Sequence, residues 1–469
     1  MTPRQSPAQG GIVPQLCEIV AARQRVPYAA PAELVRVVPD ILAVTLGGSL
    51  TGPALSLAGL SSTGDAAGSA RLWGHGRAVS VRDAVLANTF AAHALDFDDD
   101  ETETAMAHMS VTLVTAALTS CDAAIGPVSG QRLFAACAAG YDVAMAVGEL
   151  TNPGMYRAGW HASATLGVFA SAAACGALAN LSPDRMAVAF ALAASLASGV
   201  RGAFGGDGKP LQVAQAAASG LLAVQLAQRG FSAPEDALSG ARGFLGVHGA
   251  VGRSFGTPVA FPPPGFVVKA YPTCTATHAA VAAVLDAATD VADGDSIQRI
   301  ECAVDAFVPT ILLQGTPSTP DQARFNMAYC LARAAIDRRL GPDAFRPGAL
   351  TNSDVLDLMN RVEVTAAHDL PKGPSGISTG AHVVLHTRAG VTISRTRTTA
   401  PGSVTSPLSD DELLAKFSLC LEPFVTRVEA AMHFEALLRL PDADDVMTIL
   451  GPLFDLVYIA RGNGRMVTQ

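Results

Sequence analysis

The chain has 469 residues, 49% hydrophobic and only 16% charged, with a formal net charge of −9. That length can bury more than one core, and the acidic balance leaves no basic stripe for phosphates, so nucleic acid is not an expected partner. Eight cysteines without CxxC spacing or histidine partners read as reduced thiols of a cytoplasmic protein, not a disulfide frame or a zinc site.

Met1 to Gly11 carries Pro and Gly in place of an apolar h-region and reads as a tail, not a signal peptide. Residues 14–56 suggest two helices separated by Val26-Pro27-Tyr28, closing on a Gly-rich turn at Gly47-Gly48. Leu72-Trp73-Gly74-His75-Gly76 is short and extended, and a helical pattern over Asp83–Leu95 follows.

That helix runs into His93-Ala94-Leu95-Asp96-Phe97-Asp98-Asp99-Asp100-Glu101-Thr102-Glu103, which places six acids within eight positions. Such a run sits on a wet surface or is neutralised by a metal, by bases or by protonation. A calcium loop needs Gly at its sixth position and Glu at its twelfth, where Glu101 and Ala107 stand. Asp99-Asp100-x-x-Glu103 resembles a terpene-synthase magnesium motif, but its second motif is missing and aromatics are only 6% of the chain. No metal is expected.

Residues 111–235 are almost wholly helical, broken at Gly126-Pro127, Asn152-Pro153-Gly154, Ser182-Pro183 and the run from Gly202 to Pro210. Ser182 and Ser232 read as N-caps. Ala162–Pro183 and Met186–Val200 are uncharged, yet lack flanking basic asymmetry and aromatic belts, so buried helices are expected and no membrane. His161 opens the first of these helices. Gly205-Gly206-Asp207-Gly208-Lys209-Pro210 presents a lysine at another helix start. It is not a P-loop, because Ala203 replaces the first Gly and Pro follows the Lys.

Texture changes at Phe261-Pro262-Pro263-Pro264-Gly265. Beyond it, Gln298–Phe307 and Arg361–Thr365 alternate at period two, and His382–Thr387 with Val391–Thr396 reads as a hairpin. From Asp410 the pattern is helical again. The fold expected is mainly α: a helical domain over 1–264, to which 401–469 returns, and an α+β lid over 265–400. Only four lysines occur (209, 269, 372, 416) against twenty-eight arginines. Lys209 and Lys269 sit in weakly charged Gly/Pro-shaped loops suited to a carboxylate or proton-transfer site, whereas Lys416 is expected at the surface. For His161 alone a satisfied core histidine is the ordinary reading, and for Cys274 a structural thiol.

His93-Ala94-Leu95-Asp96-Phe97-Asp98-Asp99, His108-x-Ser110, Gly159-Trp160-His161, Gly208-Lys209-Pro210-Leu211, Lys269-x-Tyr271-Pro272-x-Cys274-x-x-x-His278 and Ala323–Tyr329, in that order, resemble the MmgE/PrpD family. Its members include 2-methylcitrate dehydratase, cis-aconitate decarboxylase and iminodisuccinate epimerase. The resemblance covers residues 15–435. It implies a cofactor-free site between helical domain and lid, in a homodimer. It also implies that Asp96, His108, His161, Lys209 and Tyr329 are catalytic, while Lys269, Cys274, His278 and Gln212 bind substrate. Asp96 would orient a base, with the later acids facing solvent. The implied activity is dehydration of a hydroxylated di- or tricarboxylate of the methylcitrate kind, with decarboxylation, epimerisation or silent binding as alternatives. Three departures fall at the substrate end. Asp100 stands where the family pattern has Thr, the loop to His108 is longer, and Gln212 replaces a common His. Extra acid there would repel a third carboxylate.

Overall fold

Small residues at helix contacts let helix axes approach closely, and the larger core is built on that. The computed structural model describes residues 11–458 except 26, 62–68, 259 and 293–295, so the expected tail at 1–10 lies outside the described residues. Helix Ala162–Leu178 is buried along its entire length. Helix Gly208–Gln228 packs on it at Gly220, where a Cβ would stand 2.5 Å from the Val168 carbonyl oxygen. Gly47 and Gly48 do not turn the chain. They lie inside helix Ala32–Ser49, because a Cβ on Gly48 would overlap the Ala91 carbonyl of helix Val81–His93. The glycines serve a close helix crossing, which sequence cannot distinguish from a turn.

Helix Gly130–Thr151 has the length and apolarity of a membrane span, yet 94% of its most apolar window is buried inside the protein. Ser182 caps helix Pro183–Leu196 through the Arg185 N–H. Ser232 caps nothing: residues 231–234 stay irregular, and the short helix Asp236–Ser239 begins after Glu235. Pro234 pushes Ala233 out of helical geometry.

The strands, in chain order, are β1 Ser69–Leu72, β2 Arg77–Ser80, β3 Asp100–Glu101, β4 Phe266–Val267, β5 Ile297–Asp305, β6 Val362–Ala367, β7 Ala381–Thr387 and β8 Thr392–Arg397. β1 and β2 form a hairpin, and β3 pairs with β4. The remaining four make one sheet in the order β6-β5-β7-β8, with β5 and β6 parallel and the other pairs antiparallel. Helices His278–Ala288 and Met327–Asp337 pack on this sheet, and residues between Ala279 and Ile393 form a second apolar core. Helices Asp410–Leu421 and Arg427–Leu438 return Leu413, Phe417 and Phe434 to the first core. The fold is a mainly helical N-terminal part with a smaller α+β part.

Candidate active site

Ser80 accepts the Asp83 N–H and starts helix Val81–His93, whose last residue points a fully buried imidazole inward. Past the helix, Asp96 takes φ +49°, a left-handed conformation that aspartate tolerates better than most residues. The turn aims both its carbonyl and its carboxylate at Lys269 Nζ, at 3.0 and 3.2 Å. Glu101 then closes the loop, accepting the N–H groups of Thr104 at 2.9 Å and Ala105 at 2.6 Å. Three of the acids beyond Asp96 therefore do not face solvent: Asp98, Asp99 and Glu101 are at most 1% exposed, whereas Asp100 and Glu103 are half-buried. Protein groups neutralise them because the loop is folded between helices and the α+β part.

Each buried acid has its own solution. Asp98 accepts from His93 Nδ1 at 2.9 Å and lies 3.1 Å from His108 Nδ1. Burial would raise its carboxyl, but the two imidazoles hold it well below the usual range. Asp99 accepts from the hydroxyls of Ser110 and Tyr141, and burial pushes its carboxyl well above the usual carboxylate range. Burial likewise raises Glu101 to about 6, against its backbone hydrogen bonds.

Lys209 completes the arrangement from the first turn of helix Gly208–Gln228, where a helix end disfavours a cation. Its ammonium donates to Asp96 Oδ1 at 2.6 Å and to His93 Nε2 at 2.7 Å. Because a carboxylate only accepts, His93 carries its proton on Nδ1 and offers Nε2 to the lysine. Burial, only partly opposed by Asp98, lowers the His93 pKa to about 4. Burial would raise Asp96 too, but Lys209 and Lys269 hold it well below the usual range.

A small cavity opens above this base, lined among others by Asp96, Asp100, His108, His161, Lys209 and Cys274. Two of the lining residues bring buried acceptors with no partner: Asp96 Oδ2 and His161 Nε2. Gln212 Oε1 accepts the Val200 N–H at 3.0 Å and meets His161 Nδ1 at 3.1 Å. The proton is thus on Nδ1, and Nε2 keeps a lone pair. Burial and then Lys209 lower His161 far below 6.5, so it stays neutral. His108 differs: Nδ1 meets the Asp99 carbonyl at 2.8 Å, and Nε2 lies 3.9 Å from Asp100 Oδ2. An imidazolium here has two counter-ions, Asp98 and Asp100.

Not every expected site residue reaches the cavity. Lys269 is 0% exposed, with Asp96 as its partner. Burial alone would lower its pKa, but Asp96 and Asp98 raise it. Gln212 acts behind His161. Tyr329 lies in the core of the α+β part, its hydroxyl donating to the Ala344 carbonyl at 2.6 Å. His278 is fully buried, Nε2 donating to the Thr273 carbonyl at 3.2 Å, and burial lowers its pKa to about 3. Cys274 lines the cavity as a thiol, burial raising it to about 12. Lys416, expected at the surface, is buried: its ammonium lies 2.6 Å from Asp40 and donates to the carbonyls of Phe97 and Lys269. Its charge is needed 376 positions away in sequence, at Asp40, a pairing that no local pattern announces. Sequence reasoning also passed over His93, Asp98 and Asp100 as site residues, although the His93-x4-Asp98 spacing was visible. Tyr156 and Phe204, which with Phe325 supply the apolar walls, give no sequence signal; Phe325 lies in the Ala323–Tyr329 motif but was not singled out as a site residue.

His93, Asp96, Asp98 and His108 could surround a cation, their ligand atoms all lying within 4.8 Å of one another. The Lys209 ammonium already stands against His93 Nε2 and Asp96 Oδ1. A divalent ion bridging that pair would have to displace it and would be repelled by it.

The MmgE/PrpD N-terminal domain matches residues 15–251, and the MmgE/PrpD C-terminal domain matches residues 271–440. A cis-aconitate decarboxylase of Aspergillus terreus is 30% identical over 175 residues, 36% of this chain and 36% of that protein. The match thus spans about a third of that relative's length. The cis-aconitate decarboxylase of Mus musculus is 23% identical over 384 residues, 77% of this chain and 76% of its own.

Proposed function

The chain belongs to the MmgE/PrpD family, and from that premise we propose a cofactor-independent lyase that removes water from a hydroxylated carboxylic acid. The observation that carries this is the pair of unpartnered buried acceptors, Asp96 Oδ2 and His161 Nε2, on residues lining one cavity. Unpaired acceptors at a buried site are costly. A ligand made only of carboxylates would add acceptors to acceptors, whereas a hydroxyl and an acidic C–H supply what is missing.

Lys209 spends two N–H groups on His93 and Asp96 and has a third for a substrate carboxylate. That contact acidifies the adjacent C–H by stabilising the enolate charge. His161 Nε2 takes this proton. The electron pair of the broken C–H bond forms the C=C bond, and the C–O bond to the leaving hydroxyl breaks. His108, between Asp98 and Asp100, gives the proton that makes the leaving group water. Two imidazoles in opposite electrostatic settings are the arrangement expected of a base and an acid.

Decarboxylation is the second reading, favoured by the two relatives, both cis-aconitate decarboxylases. It would use His108 as proton donor and leave His161 without a task. Incubation with candidate acids, following alkene absorbance, CO2 release and solvent deuterium uptake, separates the two. Alkene formation without CO2 is the expected result. CO2 release without dehydration would overturn the hydro-lyase reading.

A further inference from the structure

A second chamber between the helical and α+β parts adjoins the inner cavity and shares Asp100, Met106, Tyr156, Cys274 and Ile311 with it. The outer chamber adds Phe307 and Val308 from the loop after β5, and Ile377 with neighbouring hydroxyls from the segment before β7. That segment is tied down: the Ser375 N–H donates to Glu103 at 2.7 Å and the Ser378 N–H to Asp305 at 3.1 Å. Among the described residues, no Lys, Arg or His lines this chamber. Lys372 stands near Asp305 at 3.9 Å, and Arg201 lies over the Tyr156 ring at 4.2 Å, but neither lines it.

Charge around the two chambers points the same way. Lys209 and Lys269 bring two positive charges to the inner base, whereas Asp96, Asp98 and Asp100 bring three negative ones. Even an imidazolium at His108 only balances them. Asp100, held by the Thr275 hydroxyl at 2.8 Å, stands at the junction. Asp100 is thus one of the residues that line both chambers. Glu101 also lines the outer chamber, but its carboxylate is 1% exposed and turned onto backbone N–H groups.

We propose that the substrate is a hydroxy acid with one or two carboxylates and an uncharged, apolar substituent, the substituent lying in the outer chamber and Asp100 rejecting a third carboxylate there. This rests on the lyase reading above for the carboxylate held by Lys209. The apolar walls favour the substituent by about fourfold in affinity per buried methylene, and a carboxylate beside Asp100 loses affinity to like-charge repulsion.

The test is calorimetric binding of unreactive acids to the full chain: succinate, 2-butylsuccinate and propane-1,2,3-tricarboxylate. The expected order is butylsuccinate tighter than succinate by tenfold or more, and the tricarboxylate weakest. Ile377→Asp should erase the butyl gain and leave succinate unchanged. Ile377→Trp, which adds no charge, should erase it too, so misfolding of one variant does not decide the result. Asp100→Asn should recover the tricarboxylate. Equal binding of succinate and butylsuccinate, or tightest binding of the tricarboxylate, overturns the proposal. If Lys209→Met leaves succinate binding intact while the butyl gain persists, the carboxylate assignment fails and the apolar chamber stands. If no acid binds at all, both fall.

Discussion

Lys416 and Lys209 are built alike. Each lies 2.6 Å from an aspartate, and their side chains are only 4% and 6% exposed. They differ in what is left over. Lys416 has three partners, Asp40 and the carbonyls of Phe97 and Lys269, and is not among the residues that line the cavity. Lys209 has two partners and lines a cavity. A related contrast separates two histidines: His278 Nδ1 and His161 Nε2 both lack a partner, but His161 lines the cavity and His278 does not. Burial of a charge is thus no sign of chemistry here. What sets the site apart is an unpartnered acceptor on a residue that lines the cavity.

The contrast breaks most visibly at Lys416. Lys416→Met leaves Asp40 buried without its cation, which should lower the unfolding free energy by about 3–5 kcal/mol, read by denaturant titration. A loss under 1 kcal/mol would mean that the pair is not structural. Lys209→Met should behave differently, since Asp96 keeps Lys269 at 3.2 Å. Its stability loss should be smaller than that of Lys416→Met. Its kcat/KM should fall about tenfold to a hundredfold, corresponding to roughly 1.5–3 kcal/mol for a lost charge-assisted hydrogen bond. Equal activity in variant and wild type would remove Lys209 from the site.

The sealed histidine gives a third, smaller effect. His278 has a folded pKa of about 3 against an ordinary 6.5, so between those pH values the unfolded chain binds a proton that the native one does not. Its contribution is complete above pH 6.5 and declines on acidification by about 1.4 kcal/mol per pH unit. Asp40 and Asp99, both raised by burial, titrate in the opposite sense. The difference between wild type and His278→Asn isolates the one titration, and the variant should lose stability less steeply below pH 6.5. Parallel stability curves would contradict a neutral His278. The smallest effect is none: because Lys209 supplies the cation at the base of the cavity, exhaustive chelation should leave turnover unchanged. A loss restored by one divalent ion would put a metal among His93, Asp96, Asp98 and His108.

Helix positions and the β7–β8 hairpin were legible, because periodicity and turn residues are local signals. The ordered motifs also led to Asp96, His108, His161, Lys209 and Cys274, which the structure gathers around one cavity. What escaped was set by partners distant in sequence. Lys416 reads as one charge on an amphipathic helix until Asp40 is placed beside it. Tyr329 follows the family motif, yet its hydroxyl is spent on Ala344. Asp98 and Asp99 look alike in the sequence, but one meets two imidazoles and the other two hydroxyls, so one is held below the usual carboxylate range and the other is pushed above it.

The central claim is that His161 removes a proton from carbon next to a carboxylate. Exchange of that hydrogen for solvent deuterium, followed by NMR on a bound hydroxy acid in D2O, tests it with or without complete turnover. Wild type should show exchange or alkene formation, and His161→Asn should show neither while binding the acid with similar affinity. Undiminished exchange in the variant would contradict the account and move the base elsewhere in the cavity.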